Sequence, residues 1–286
     1  MAKNRTMSVL DRSNILDSFP NVKMMTEAII REPGDIEAWF RMTDAFIDDS
    51  KERSSYMLKA LLGQLDPYTY SKDTEKKLQA MLLDKGEQII MPKVVNSIGM
   101  EFVCLPPGIN VMGSPDDEPH RHQDEGPQHL VRMPSIFMAT YPITQREWEA
   151  VMGNNPSTSH KHPNHPVENV SWHDAKEFCK KLSELPEEMD AGRMYDLPGE
   201  YDWEWACRAG TRSPYAFGDT LTHEMANFDE KINRTTPVGS YPANLFGLHD
   251  MHGNVWEWCD DLYDSDRYTK EIEAAKKAGT AIEIDL

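Results

Sequence analysis

Cysteine, positive charge and extended apolar stretches are all scarce in this 286-residue sequence, and each scarcity excludes something. Four cysteines occur, Cys104, Cys179, Cys207 and Cys259. None forms a C-x-x-C pair, which removes a zinc knuckle from consideration. Each has apolar or aromatic neighbours, the setting of a buried thiol rather than a disulfide. Thirty Lys and Arg face 48 Asp and Glu, a net charge of -18. A nucleic-acid backbone or an anionic membrane surface would be repelled, while cations and basic partners are favoured. No apolar run approaches the ~20 residues that span a bilayer. The basic start of the chain lacks the apolar core of a secretory signal, so a cytoplasmic protein is expected. No Gly-rich phosphate loop and no G-x-S-x-G elbow is present. Adjacent acids such as Glu187-Glu188 and Asp260-Asp261 read as solvated surface. What remains is 39% hydrophobic residues at a mean hydropathy of -0.63, enough apolar material for a core in a water-soluble chain.

Residues 1–90 read as a helical region. Pro33-Gly34 stops one apolar-faced segment. Asp35 N-caps the next, in which Ile36, Trp39, Phe40 and Phe46 recur near helical spacing. A third segment carries Tyr56, Leu58, Leu61 and Leu65 and closes at Asp66-Pro67. The helix–turn–helix over 33–67 resembles a single tetratricopeptide-like unit, without a second full copy to stack against.

Beyond residue 93 the texture changes to short apolar stretches between turns rich in Gly, Pro, Asn and Asp. Met100-Glu101-Phe102-Val103-Cys104-Leu105 and Ile109-Asn110-Val111-Met112-Gly113, separated by Pro106-Pro107-Gly108, are expected to form a hairpin. Helices are predicted at 145–152, stopped by Gly153, at 172–185, ended by Pro186, and at 201–208. The histidines His120, His122 and His129, and again His160, His162 and His165, lie in charged or proline-bearing stretches and read as solvated loop. Short strands, few helices and many ordered loops indicate an α+β fold.

Several motifs follow one another in a fixed order: Asn96-Ser97-Ile98-Gly99-Met100-Glu101-Phe102-Val103, Gly113-Ser114-Pro115, Asp124-Glu125-Gly126-Pro127-Gln128-His129, Tyr141-Pro142-Ile143-Thr144-Gln145, Pro166-Val167-Glu168-Asn169-Val170-Ser171-Trp172, Leu197-Pro198-Gly199-Glu200-Tyr201-Asp202-Trp203-Glu204-Trp205-Ala206 and Phe246-Gly247-Leu248-His249-Asp250-Met251-His252-Gly253-Asn254-Val255-Trp256-Glu257-Trp258. This order resembles the formylglycine-generating enzymes, the sulfatase-modifying factors. The resemblance implies a loop-rich variant of the C-type lectin fold, read over 96–262 without the family's final segment. The small helical region precedes it, and a charged tail over 263–286 stands where that segment is expected, helix-prone over 271–278 and alternating like a strand over 280–284. Gly199 stands where the family more often has Thr, a weaker helix cap.

The resemblance also implies calcium, with Asn254 and Glu257 as side-chain ligands and Val255 as a carbonyl ligand, and a second cation site at Asn227 and Phe228. Oxygen-only ligands suit calcium. If 254–259 is extended, apolar bulk falls on both faces, and the strand is expected inside the domain with Glu257 in need of a cation or other partner. In a regular strand Asn254 and Glu257 face opposite ways, so convergence requires a turn at Gly253-Asn254. The structural alternative is an Arg or amide partner for Glu257 and a turn-capping role for Asn254. Family chemistry oxidises a substrate cysteine to formylglycine with copper held by two cysteine thiolates. Those thiolates belong to a stretch after the motif that ends in Trp258, and no cysteine follows Cys259. Copper is therefore expected for the family but has no site here. The expectation is a binding module for a peptide, protein or glycan ligand. Two alternatives stand beside it: an oxidase acting on a sulfatase cysteine, and a split or truncated fragment of one.

Overall fold

The computed structural model describes residues 93–278, apart from 106–107, 135, 160 and 230. The tetratricopeptide-like reading of 33–67 and the strand-like run 280–284 lie outside the described residues. The fold is α+β: among the described residues five strands come first and five α-helices follow.

Strands β1 (Lys93–Val95), β2 (Glu101–Leu105) and β5 (Ile136–Ala139) form an antiparallel sheet in the order β1-β2-β5, with Val94 opposite Phe102 and Val103 opposite Met138. Strands β3 (Gly108–Met112) and β4 (His129–Met133) form a separate antiparallel pair, Val111 opposite Leu130. The expected hairpin between β2 and β3 is therefore not formed. In β2 the consecutive residues Val103, Cys104 and Leu105 are all buried. A strand covered on both faces sits in the middle of its sheet. Its two edges are taken by β1 and β5, so β3 pairs elsewhere.

The predicted helices form where their caps are. Helix α1 (Gln145–Met152) opens at Thr144, whose hydroxyl accepts the Glu147 N–H while the Glu147 carboxylate accepts the Thr144 N–H at 2.8 Å, and Gly153 closes it in the left-handed conformation, φ 75°. Helix α2 (Trp172–Ser183) repeats the device with Ser171 and Asp174. Trp148 of α1 stacks on Phe178 of α2 at 5.2 Å, next to buried Met100 and Leu182. Helix α2 ends at Ser183, two residues short of the predicted 185, and Pro186 begins helix α3 (Pro186–Asp190), since a missing N–H is harmless in a first turn.

Glu188 of α3 corrects the surface reading of the Glu187-Glu188 pair. Its side chain is 0% exposed. Its carboxylate accepts hydrogen bonds from the Ser97 N–H at 2.7 Å, the Tyr195 hydroxyl at 2.5 Å and the Arg193 guanidinium at 3.3 Å. Burial alone would raise its pKa, but these donors outweigh it and hold the carboxyl down at about 2.

Helix α4 (Glu200–Arg208) carries Trp205, Ala206 and Cys207 into the larger core, where Trp205 meets Phe246 edge-on at 5.1 Å and Val103, Leu105, Leu248 and Met251 pack alongside. Gly199 offers no side-chain cap. Its place is filled from a distance: Asp261 accepts the Glu200 N–H at 2.5 Å, and Asp202 reaches back to the Gly199 N–H. A Cβ on Gly199 would come within 3.3 Å of both carboxylates.

The tail over 263–286 was expected to be a charged appendage. The part described is helix α5 (Arg267–Ala278), docked through buried Tyr268 and Ala275. Its Arg267 lies 4.5 Å over the Tyr201 ring and pairs with Asp261, Glu200 and Glu271. Tyr268 donates to Glu200 at 2.8 Å and sits 4.9 Å from the ring of His129. No helix among the described residues is long and apolar enough to cross a membrane.

Candidate functional site

The segment 250–260 gathers most of the residues singled out from the sequence. Asp250 and Asn254 adopt left-handed backbone conformations, φ 62° and 75°, so the chain turns where convergence of the motif requires it. Between them, a Cβ on Gly253 would collide with the carbonyl oxygen of Asn227. Only glycine admits that approach. It lets the Asn254 N–H donate to Asn227 O at 2.8 Å. The Asn254 side chain then clasps a second loop. Its Oδ1 accepts the Thr236 N–H at 2.9 Å and the Asn227 amide at 3.4 Å, and its Nδ2 donates to Thr236 O at 3.1 Å. Asn227 also donates to Arg234 O. The two predicted cation sites are thus brought together through Asn227 and Asn254. Phe228 stacks instead on His223, 4.5 Å between ring centres, and the Val255 N–H turns back to Gly253 O.

Glu257 finds its partner in the indole N–H of Trp203 of α4, at 2.6 Å. Its pKa is pushed up to about 7 by burial, partly opposed by that hydrogen bond and reinforced by the charge of nearby Asp250. Asp250 itself accepts the Gly239 N–H with Oδ2, and its pKa too is raised by burial. Its Oδ1 is buried with no donor among the described residues. Two desolvated carboxylates and one unmet oxygen fit a hard cation, which would offset the cost of both. Asn254 fits that role less well, because Oδ1 is already engaged by protein donors. No group of three or more His, Cys, Asp or Glu side chains stands in metal-holding proximity among the described residues.

The expectation that 254–259 is an interior strand is overturned on one face. Exposure alternates residue by residue from 256 to 260, as in an extended run. Glu257 and Cys259 face inward, but Trp256 is 102% exposed and Trp258 50%. Among the described residues Trp258 is tied by its indole N–H to Val170 O, and Cys259 O accepts the Trp172 indole N–H. Counting apolar side chains on both faces had implied two covering layers; the described residues supply one.

The four cysteines stand on β2, α2, α4 and this segment, and no two are joined in a disulfide. Burial pushes the Cys179 thiol up to about 11, and burial with Glu200, Asp261 and Glu257 pushes Cys259 up to about 12. Cys207 is raised by burial and by Glu204. It lies 3.7 Å from His252 Nδ1. His252 Nε2 accepts the Ala216 N–H at 2.9 Å, so the ring proton sits on Nδ1 and points to sulfur, while the thiol donates to Met251 O. Burial and Arg208 hold His252 down at about 4. This is a neutral thiol and a neutral imidazole, locked as packing elements.

The histidine readings divide. His120 and His122 are exposed, as a solvated loop requires. His129 and His165 are buried, the first within reach of Pro127 O and the Tyr201 hydroxyl, the second 2.9 Å from Thr235 Oγ1. Their sequence neighbours gave little hint, since Tyr201 on α4 and Thr235 lie 72 and 70 positions away.

An open cleft of about 270 Å³ lies between β4 and the starts of α4 and α5, lined by Arg132, Met133, Tyr201, Asp202, Asp261 and Arg267. Two of its charged groups, Asp261 and Arg267, are paired with each other, and Asp261 also accepts the Glu200 N–H.

Comparison with known proteins supplies the remaining evidence. Serine/threonine-protein kinase pkn1 of Chlamydia caviae is 30% identical over 200 residues, 61% of this chain and 29% of the kinase. The chain thus spans under a third of the length of that relative. The formylglycine-generating enzyme of Mycobacterium tuberculosis is 32% identical over 191 residues, 58% of this chain and 60% of the enzyme. The solved structure of PvdO from Pseudomonas aeruginosa superposes with a TM-score of 0.52 at 28% identity, covering 63% of this chain and 77% of that one. Residues 88–280, spanning every described strand and helix, match the family model described as the sulfatase-modifying factor enzyme 1-like domain, and the chain belongs to that family.

Proposed function

We propose that this domain binds a peptide or protein ligand and does not itself oxidise cysteine. The observation that carries this reading is the state of the thiols. A soft-metal oxidation centre needs two converging thiolates. Cys179, Cys207 and Cys259 lie on three different elements with pKa values raised by burial, and Cys104 is a core residue of β2. The kinase relatives give a second line of support. A module that matches under a third of a larger signalling protein suits recognition better than self-contained catalysis. The test is incubation with a Cys-x-Pro-x-Arg peptide, cuprous ion and reductant, followed by mass spectrometry. Unchanged peptide is expected. Conversion of its cysteine to an aldehyde would overturn the reading in favour of an oxidase.

The same proposal places a calcium ion beside Glu257, with the Asp250 carboxylate and the Val255 carbonyl as further oxygens. Asn254 and Asn227 brace the loop. A bound calcium would neutralise buried charge and hold the turn at 250–257. Thermal melting in calcium against chelator tests it: saturating metal at ~100 times its Kd should stabilise by roughly 2.7 kcal/mol, and Glu257→Gln should abolish the difference. A calcium response unchanged in that variant places the ion elsewhere.

A further inference from the structure

The segment 256–258 is an extended run without a sheet. Among the described residues, the backbone N–H and C=O groups of Trp256, Glu257 and Trp258 meet no hydrogen-bond partner, whereas the Val255 N–H is bonded to Gly253 O and the Asp260 N–H to Pro198 O. An unpaired strand edge is a template for another extended chain. The side chains beside it are apolar and open: Trp256 is 102% exposed, Leu262 89% and Tyr263 83%. Trp258 included, four large apolar side chains exposed within eight residues are the kind of surface that marks an interaction site.

Charge selects the occupant. From Gly253 through Asp266 there are five acidic residues, Asp266 included, and no Lys or Arg. The nearby cations are oversubscribed. Lys176 serves both Asp196 and Asp260, and Arg267 serves Glu200, Asp261 and Glu271. Tyr263 donates to Asp124 and so brings the acidic 116–125 loop alongside. A second copy of this chain, at a net charge of -18, would bring like charge against this rim.

From this we infer that the 256–258 edge docks an extended, arginine-bearing peptide segment of a partner protein, pairing backbone to backbone. Alternate guanidinium groups stack on the indole faces and meet Asp260 and its neighbours, and the intervening apolar side chains point toward the core side, where Glu257 and Cys259 lie. The inference rests on the binding reading above and specifies its ligand class.

A dye-labelled peptide alternating arginine and valine over six residues tests it, titrated by fluorescence anisotropy against the full chain at low salt. Saturable binding is expected. It should weaken about tenfold or more in Trp256→Ser, and comparably when the peptide carries N-methyl groups on alternate amides, a control that needs no protein variant. A glutamate–valine peptide should not bind. Binding that ignores both the substitution and the methylation would overturn the inference. So would absence of binding, whether the protein is monomeric or forms a dimer that Trp256→Ser dissolves, the latter assigning the edge to a second copy. The oxidation assay on the same sample reads the underlying functional proposal separately, since aldehyde formation and peptide affinity are independent signals.

Discussion

Glu188 and Gly253 show how much of this protein rests on single side chains whose sequence neighbours conceal their role. The Glu188 carboxylate joins Ser97, Arg193 and Tyr195, one of them 91 positions away. Removing it takes the shared acceptor from the Ser97 N–H and from the half-buried Tyr195 hydroxyl, so Glu188→Ala should cost about 1–3 kcal/mol in a denaturant melt. The pH dependence follows in sign. Its folded pKa, about 2, lies below the ordinary carboxylate value of 4.5. The stabilisation is therefore present in full above about pH 4.5 and is lost as pH falls toward 2. Acid unfolding of the native protein should show this loss, and Glu188→Gln should flatten the profile over that window. Gly253→Ala drives a methyl group into the Asn227 carbonyl. We expect a loss of roughly 1–3 kcal/mol, and any stabilisation by the proposed calcium should weaken with it because the 227, 236 and 254 loops part.

Helices α1 and α2 were legible because their signals are local. Thr144 with Glu147, and Ser171 with Asp174, lie three residues apart and mark each helix start whatever the rest of the chain does. The pairing of strands was not legible, because β2 gives no sequence sign of which neighbours will occupy its edges. Nor was the docking of α5. The helix-prone run 271–278 could be read, but Tyr268 and Arg267 reach Glu200 and Tyr201, some 67 positions back. Within the candidate site the turn at Asn254 was anticipated as a requirement; the loop it clasps, around Thr236, was not. Tyr268→Phe should cost about 1 kcal/mol through the hydrogen bond to Glu200. Tyr268→Ala should cost about 3–5 kcal/mol by opening a cavity against His129 and α4. Equal losses in the two variants would show that packing at α5 contributes little.

The whole molecule carries eighteen excess negative charges, and its family places the domain among proteins matched to both enzymes and kinases. Self-repulsion of this size is relieved by salt. The melting temperature should rise by a few degrees between about 10 mM and about 500 mM sodium chloride, with cooperativity unchanged. A flat response would mean that the acidic residues are already compensated by local pairs such as those of Lys176 and Arg267.

The first turn of α4 donates its Glu200 N–H to the carboxylate of Asp261, 61 residues further along the chain. During synthesis Trp205 and Ala206 leave the ribosome well ahead of the carboxylate that secures the helix carrying them. Maturation of the larger core is consequently a late event, completed only once residue 261 and the helix behind it are available, and ribosome-bound chains halted before that point should remain protease-sensitive across 199–208.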